Sequence, residues 1–220
     1  MARIRIFTGH FGSGKTEIAV NYALKLAQAK ERVCVVDMDI VNPYFCSRDV
    51  RPHLESQGIR VISSNPSLSN AELAVIPPEV FAIFNDKSYE VVLDVGGDGV
   101  GAVALGQFNR YFRAEPYDLY FVINKNRPLT STREGVLDYI KAIESSSRLK
   151  VTHLIANTNL SYETTATDVV AGDRFVAELA EELQLPHTYT VCRADLRAAV
   201  EGKVSADILD IDVYMKTPWM

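Results

Sequence analysis

Short apolar runs rich in β-branched residues alternate with helical patterns along most of the chain. Seven runs are almost continuously apolar, as is typical of strands covered on both faces of a parallel sheet. They are Ile4–Thr8, Val33–Asp37, Ile59–Ile62, Val91–Val95, Leu119–Ile123, Val151–Ala156 and Thr188–Cys192. Apolar stripes with helical spacing predict helices at Lys15–Ala29, Thr132–Ser145 and Phe175–Leu183. This alternation predicts an α/β fold with a doubly wound, mainly parallel sheet of about seven strands and helices on both faces.

The chain has 220 residues, which suits one domain, and we expect a single domain over residues 1–220. No internal repeat or low-complexity tract interrupts the pattern. The least patterned stretch is Ser63–Pro78, which contains Asn65-Pro66 and Pro77-Pro78 and is predicted to be a long connection or surface loop.

A glycine-rich segment between the first strand and the first helix carries the strongest chemical signal. Its sequence fits the phosphate-loop pattern G-x-x-x-x-G-K-[ST] with Gly9, His10, Phe11, Gly12, Ser13, Gly14, Lys15 and Thr16. Glycines let successive backbone N–H groups turn toward phosphate oxygens, and the N-terminus of the helix adds a positive dipole. Lys15 is expected to reach the β- and γ-phosphates, and the Thr16 hydroxyl is expected to ligate Mg²⁺. The alternative is a chance glycine turn, which the strand before the segment and the helix after it disfavour.

The run Val91–Gly97 describes a strand that ends in a carboxylate. Asp94 is expected at the edge of the sheet where ligands bind, close to the Mg²⁺ shell. Gly97 follows directly and is expected to bring its N–H close to a γ-phosphate. Any strand can end in aspartate, so this pattern gains weight from the phosphate loop that precedes it.

Two further carboxylates, Asp37 and Asp39, follow the second strand and are predicted to point to the same side because they are two residues apart. One is expected in the second shell of the metal, and the other is expected to orient a water molecule for hydrolysis. The alternative is a polar turn at the end of a strand, which favours Asp, Asn and Pro.

The order and spacing of these motifs resemble the MinD/ParA-type P-loop ATPases of the SIMIBI class. The stretch Asp39–Phe45 (DIVNPYF) is similar to that of small bacterial ATP-binding proteins of unassigned role. The resemblance implies that Asp94 holds Mg²⁺ through water, that Asp39 positions the hydrolytic water, and that Asn157 contacts the base. It also places Arg193 in the loop that flanks the base.

The phosphate loop departs from that family at two positions. Members with the variant loop carry a signature lysine after the first glycine, and this chain has His10 there, with Phe11 where glycine is usual. We expect His10 either to donate to a phosphate when protonated, since its ordinary pKa is near 6.5, or to have no role across a dimer.

Composition limits the partners. The net charge is −5 and no basic stripe appears, so nucleic-acid binding is not expected. No apolar run approaches the roughly 18 residues of a membrane span, and the first residues lack a signal-peptide pattern. Three widely separated cysteines do not form a disulfide framework, and a reducing cytoplasm is the predicted location. Cys34 and Cys192 are expected in the core.

Three hypotheses about function follow from these motifs. The first is a slow, Mg²⁺-dependent ATPase acting as a nucleotide switch, whose loops Asp39–Phe45 and Gly96–Gly101 present a surface to a protein partner, a second copy or a metalloenzyme under maturation. The second is an ATP-dependent ligase or kinase of the dethiobiotin synthetase or cobyrinic acid synthase type. The third is a module that binds nucleotide without turnover. ATP is favoured over GTP because Asn124–Arg127 (NKNR) lacks the aspartate of a guanine motif, and Arg127 is either a phosphate contact or a surface cation.

Overall fold

The computed structural model describes residues 1–39, 50–63, 77–97 and 99–215. Eight strands in these ranges form one parallel sheet in the order β3-β2-β4-β1-β5-β6-β7-β8. Their bounds are β1 Ile4–Thr8, β2 Val33–Met38, β3 Arg60–Ser63, β4 Glu90–Val95, β5 Tyr117–Ile123, β6 His153–Ala156, β7 His187–Arg193 and β8 Asp207–Ile211. The predicted α/β fold and parallel sheet are confirmed.

The eighth strand was not predicted. In Asp207–Ile211, Leu209 and Ile211 are buried beside the helix that follows β1, and the other three residues are exposed or half-buried. Among the residues described, the strand pairs only with β7. One-sided burial gives such an edge strand this alternation instead of a continuous apolar run.

Helices cover both faces of the sheet. They are α1 Lys15–Ala27, α2 Arg51–Ser56, α3 Pro78–Asn85, α4 Gly99–Gly106, α5 Asn109–Ala114, α6 Arg133–Ser147, α7 Ala166–Leu183 and α8 Arg197–Val200. In one hydrophobic core, α1 and α2 pack against one face of the sheet. In a second core, the five helices α3, α4, α5, α6 and α7 pack against the other face. Cys34 is buried in the second core, as expected. No helix within the described ranges has the length and apolar character needed to cross a membrane.

Two helices differ from the sequence prediction. Helix α7 begins at Ala166 instead of Phe175, because Thr165 and Asp168 form a capping box that starts the helix earlier. Helix α4 begins at Gly99, so the second half of the glycine run expected to be a flexible loop is helical. At Gly101 the helix backbone packs closely against Gly96, and a Cβ there would lie 2.4 Å from the Gly96 carbonyl oxygen. This contact explains why residue 101 is a glycine.

The strand order places three chain segments around the end of β1. Strand β1 lies between β4 and β5, and α1 leads away from it to β2 on the far side of β4. In open α/β sheets, ligands bind outside the carboxyl ends of the strands at such a reversal of strand order. The segments that follow β1, β2, β4 and β5 therefore meet at one edge.

Candidate nucleotide-binding site

The phosphate loop, residues 9–16, turns from β1 directly into α1. Gly14 precedes the first helical residue with φ of 84°, a left-handed conformation that a side chain would strain. The first turn of α1 therefore begins at Lys15 with backbone N–H groups that have no partner within the helix. Such a helix start favours an anion.

Side chains from two neighbouring strand ends hold the carbonyl groups of the loop. The Gly12 carbonyl accepts hydrogen bonds from Asn124 Nδ2 at 3.2 Å and Arg127 Nε at 3.0 Å. The Ser13 carbonyl accepts from Asn157 Nδ2 at 2.7 Å. Because a trans peptide directs its C=O and N–H to opposite sides, the N–H of Gly14 points away from Asn157. The carbonyl groups of Gly12 and Ser13 are thus held from outside the loop, and the Ser13 N–H donates to the His10 carbonyl at 2.9 Å within it.

Lys15 forms a buried ion pair with a carboxylate that follows β2. Its Nζ lies 2.8 Å from Asp39 Oδ2, and the two side chains are 7% and 3% exposed. Asp37 Oδ1 accepts a hydrogen bond from the backbone N–H of Asp39 at 3.1 Å, which fixes the turn. Two of the predicted catalytic groups, Lys15 and Asp39, therefore contact each other.

Asp94 on β4 lies beside Asp37, its register partner on β2. It is fully buried, and neither carboxylate oxygen has a hydrogen-bond partner among the residues described. Burial raises the pKa of Asp94 to about 8. The Lys15 ammonium opposes this rise, the carboxylates of Asp37 and Asp39 add to it, and the neighbouring Thr16 hydroxyl again favours the charged form. Keeping this carboxylate charged in a fully buried position is costly, so the group points to a ligand.

The residues around Asp94 fit Mg²⁺. Mg²⁺ prefers oxygen ligands and is usually held by one or two protein groups together with substrate phosphates and waters. Asp94 and Thr16 supply a carboxylate and a hydroxyl at the end of the phosphate loop, and both are buried. Across residues 1–39, 50–63, 77–97 and 99–215, no group of three or more His, Cys, Asp and Glu side chains is arranged to hold a metal. The donor set suits a cation that arrives with phosphates.

Gly97 packs directly against the beginning of the phosphate loop. A Cβ at this position would lie 1.7 Å from the carbonyl oxygen of Gly9 and 3.2 Å from the backbone nitrogen of His10. Since both clashing atoms belong to the backbone, only glycine fits without moving the loop. The backbone at the end of β4 is therefore in close contact with the backbone of the phosphate loop.

A cavity of about 260 Å³ extends from the phosphate loop past the ends of β6, β7 and β8. Its polar end is lined by the loop, Asn157 and Arg127. Its other end is largely apolar, with the lining side chains Val169, Val191, Cys192, Ile211, Val213 and Met215. A charged end joined to an apolar end suits a ligand that combines phosphates with an aromatic base.

The C-terminal wall of this cavity is tied to α1. Glu17, one residue after Thr16, accepts hydrogen bonds from the backbone N–H groups of Tyr214 at 2.5 Å and Met215 at 3.1 Å. Asn21 binds both the N–H and the carbonyl of Asp212, at 2.9 and 2.8 Å. Four hydrogen bonds thus fasten residues 212–215 to the helix that begins the phosphate site.

Glu17→Gln is expected to weaken nucleotide binding about threefold to tenfold. An amide has one acceptor oxygen, and its NH₂ group would face one of the two backbone donors that Glu17 now satisfies. Loosening residues 212–215 disturbs the apolar end of the cavity and leaves the phosphate end intact. Competition titrations check this, because the affinity for MgATP should fall while the affinity for tripolyphosphate is unchanged. An equal loss for both ligands would contradict the assigned role.

Two predicted binding residues have partners within the protein. Arg193 lines the cavity, and its guanidinium donates to both carboxylate oxygens of Asp195 at 2.9 and 2.7 Å. The His10 ring packs edge-on against Tyr139 of α6, with the ring centroids 5.2 Å apart. Burial lowers the pKa of His10, and the charges of Arg127 and Lys15 lower it further, so a protonated His10 is disfavoured at neutral pH. Contact of either residue with nucleotide stays a prediction.

The structure brings most of the predicted site together. The nucleotide-binding candidates in the loop (Gly9, His10, Gly12, Ser13, Gly14, Lys15 and Thr16) meet Asp39, Asp94, Gly97 and Asn157 at one edge of the sheet. Asn157 is engaged with the Ser13 carbonyl, and its contact with a base stays a prediction. Cys192 is buried and also lines the cavity. Residues 40–45 of the predicted switch, Cys46, and residues 64–76 of the second predicted loop lie outside the described ranges.

Asn124, Glu17 and Asn21 were not predicted as site residues. Asn124 is fully buried after β5 and holds the carbonyls of Gly12 and Asn159. The available signal was its position, since a buried amide at the carboxyl end of a strand beside β1 repeats the pattern of Asn157. The sequence carries no comparable signal for Glu17 and Asn21, because their partners are backbone groups far along the chain.

Comparisons with known proteins support the fold. No protein-family model and no curated protein sequence matches the chain. Among solved structures, it is similar to FtsY from Mycoplasma mycoides, with 16% identity, a TM-score of 0.56, and coverage of 86% of this chain and 59% of that chain. It is also similar to the cell division protein FtsY from Thermotoga maritima, with 19% identity and a TM-score of 0.55. That match covers 84% of this chain and 60% of the other.

A third structure, the signal recognition particle receptor FtsY from Elizabethkingia anophelis, is 15% identical with a TM-score of 0.51, and the match covers 84% of this chain and 57% of that chain. The chain thus spans about three fifths of the length of these proteins. The likeness supports the fold alone. The SIMIBI class and the MinD/ParA type stay predictions.

Proposed function

We propose that the protein binds ATP with Mg²⁺ and hydrolyses it slowly, as a nucleotide switch. The observation that carries this proposal is the convergence of Asp39 and Asp94 on Lys15 and Thr16, which line the polar end of the cavity. Asp94 and Thr16 would hold Mg²⁺, which neutralises charge on phosphate oxygens when bound. The fold resembles that of the FtsY proteins, and the roles of individual residues belong to this proposal.

ATP is the proposed nucleotide. The segment 124–127 lacks the aspartate of a guanine motif, and Asn124 uses its amide to hold Gly12 and Asn159. Asn124 is also fully buried and is not among the residues that line the cavity where a base would lie. Competition titrations of ATP against GTP test this choice.

The Lys15–Asp39 ion pair suggests how turnover begins. We infer that Lys15 exchanges Asp39 for phosphate oxygens when the nucleotide binds, since phosphate is the stronger local charge. The exchange leaves the Asp39 carboxylate at the phosphate end, where it orients a water molecule and accepts its proton. Asp37 keeps the turn in place through its hydrogen bond to the Asp39 N–H.

Asp39→Asn is expected to lower ATP hydrolysis by about 100-fold or more while retaining MgATP binding, because an amide does not accept the proton of the attacking water. Phosphate release at saturating MgATP measures this effect. Asp138→Asn is the control, since Asp138 is exposed on α6 and pairs only with Lys141 in the described structure. Hydrolysis at the parent rate in Asp39→Asn would show that Asp39 is structural.

The proposed partner, a protein or a second copy of the chain, would contact the edge that carries the nucleotide site. Five large apolar side chains are exposed in the segments that follow β1, β5, β6 and β8: Phe11, Leu129, Leu160, Tyr162 and Val213. Phe11 and Val213 also line the cavity, so a bound nucleotide would lie beside this surface. Exposed apolar groups of this kind support an interaction site.

A further inference from the structure

Arg127 lies against the phosphate loop from the segment that follows β5. Its Nε donates to the Gly12 carbonyl at 3.0 Å. The guanidinium covers the loop so closely that a Cβ at Gly12 would lie 2.7 Å from Nε, 2.8 Å from Cζ and 2.9 Å from Nη2. Two backbone hydrogen bonds, to Asn124 and from Thr130, hold the Arg127 backbone in a turn. The side chain is thus placed at the polar end of the cavity, whose wall it forms.

Among the cations that line the cavity, Arg127 differs in its charge balance. Lys15 is paired with Asp39, and Arg193 is paired with Asp195. Within the residues that the structure describes, Arg127 has no carboxylate partner, and its one side-chain hydrogen bond uses Nε. The four N–H groups of Nη1 and Nη2 are therefore available to a ligand.

The phosphate end needs positive charge beyond Lys15. Three buried carboxylates, Asp37, Asp39 and Asp94, lie near the Lys15 ammonium. One Lys15 charge, shared with these groups, does not balance the several negative charges of a triphosphate, even with Mg²⁺ present. A planar guanidinium is well suited to this task because it donates two parallel hydrogen bonds to phosphate oxygens.

We propose that Arg127 is a phosphate-binding residue of the nucleotide site, which contacts the phosphate chain through Nη1 and Nη2 while Nε remains on Gly12. This proposal rests on the proposed function. The anchor on Gly12 means that the guanidinium is oriented before the nucleotide arrives, which reduces the entropy lost on binding. If Arg127 instead only supported the loop through Gly12, loss of the Nε donor would weaken binding more than loss of the charge.

Two substitutions separate the charge of Arg127 from its anchor. In Arg127→Gln, the side-chain amide nitrogen occupies the place of Arg Nε, so the donor to Gly12 is kept and the charge is lost. In Arg127→Lys, a methylene occupies that place, so the charge is kept and the donor is lost. Arg113→Gln is the matched control, since Arg113 is exposed on α5 at the opposite edge of the sheet.

Calorimetric titrations with MgATP and with tripolyphosphate test the proposal. We expect Arg127→Gln to weaken both ligands about tenfold or more, Arg127→Lys to weaken them about threefold, and Arg113→Gln to match the parent. Tripolyphosphate carries no base, so a parallel loss places the contact on the phosphates. Thermal unfolding checks that each variant is folded.

Parent-like affinity in Arg127→Gln would overturn the proposal and leave the proposed function standing. Greater weakening in Arg127→Lys than in Arg127→Gln would overturn it as well, and would assign Arg127 to support of the loop. Absence of MgATP binding by the parent protein would instead contradict the proposed function on which this inference rests.

Discussion

Asp94→Asn is expected to stabilise the protein and to abolish Mg²⁺-dependent nucleotide binding. Asp94 is fully buried, its oxygens lack hydrogen-bond partners among the described residues, and burial raises its pKa to about 8. In an unfolded chain, the pKa of an aspartate is about 3.9. Between these two values the folded protein binds a proton that the unfolded protein does not, so Asp94 makes the free energy of unfolding decrease as the pH rises from about 4 to 8.

The expected stabilisation is therefore largest at the alkaline end of this range. An asparagine has no charge to bury, and we expect it to raise the free energy of unfolding by about 2–4 kcal/mol at pH 8 and by little near pH 5. The groups that surround Asp94 (Lys15, Asp37, Asp39 and Thr16) are kept in this variant. Urea unfolding of both proteins at pH 5, 6, 7 and 8 measures the difference, with exposed Asp138→Asn as control. A pH-independent difference, or a loss of stability, would contradict this account of Asp94.

The same substitution removes the carboxylate proposed to hold Mg²⁺. We expect MgATP affinity to fall by about 100-fold, and we expect the remaining affinity for ATP to be independent of Mg²⁺. Gain of stability with loss of binding is the pattern expected where a site holds a strained or costly group for function. If Asp94→Asn bound MgATP as tightly as the parent, the proposed Mg²⁺ ligand would be wrong.

Lys15→Ala is expected to abolish ATP binding and also to destabilise the protein. Lys15 and Asp39 are both buried, and removing the lysine leaves the Asp39 carboxylate without its partner. Breaking a buried ion pair from one side costs about 3–5 kcal/mol. Loss of binding in this variant alone could therefore reflect a disturbed loop as well as a lost phosphate contact.

A second variant separates the two effects. In Lys15→Ala/Asp39→Asn no charge of the pair remains, so we expect at least half of the lost stability to return while ATP binding stays absent. A double-mutant cycle tests this: urea unfolding measures stability, and titration measures MgATP affinity, in the parent, the two single variants and the double variant. Recovery of binding in the double variant would show that Lys15 acts only by neutralising Asp39.

The phosphate loop, the central strands and the acidic strand ends could be predicted from the sequence because each depends on local order. Glycine spacing, continuous apolar runs and the residue after a strand are all visible within about ten positions. Gly97 was predicted beside the phosphates from its place after β4, whereas its close packing against Gly9 depends on the pairing of β4 with β1 and was not predicted.

The remaining features depend on contacts distant in sequence. Strand β8 alternates because only its inner face is buried, and its acidic residues concealed the pattern. Glu17 binds the backbone of residues almost 200 positions later, at a separation of 197 and 198. Arg127 resembles a surface cation in sequence, and only the turn after β5 places it on Gly12. None of these pairs leaves a local signal.

Calorimetric titration of the parent and of Lys15→Ala/Asp39→Asn with MgATP shows whether the phosphate loop binds a nucleoside triphosphate. We expect one MgATP to bind saturably to each parent chain and no detectable binding to the variant, with thermal unfolding confirming that the variant is folded. Equal affinity in the two proteins, or no binding to the parent, would contradict this expectation.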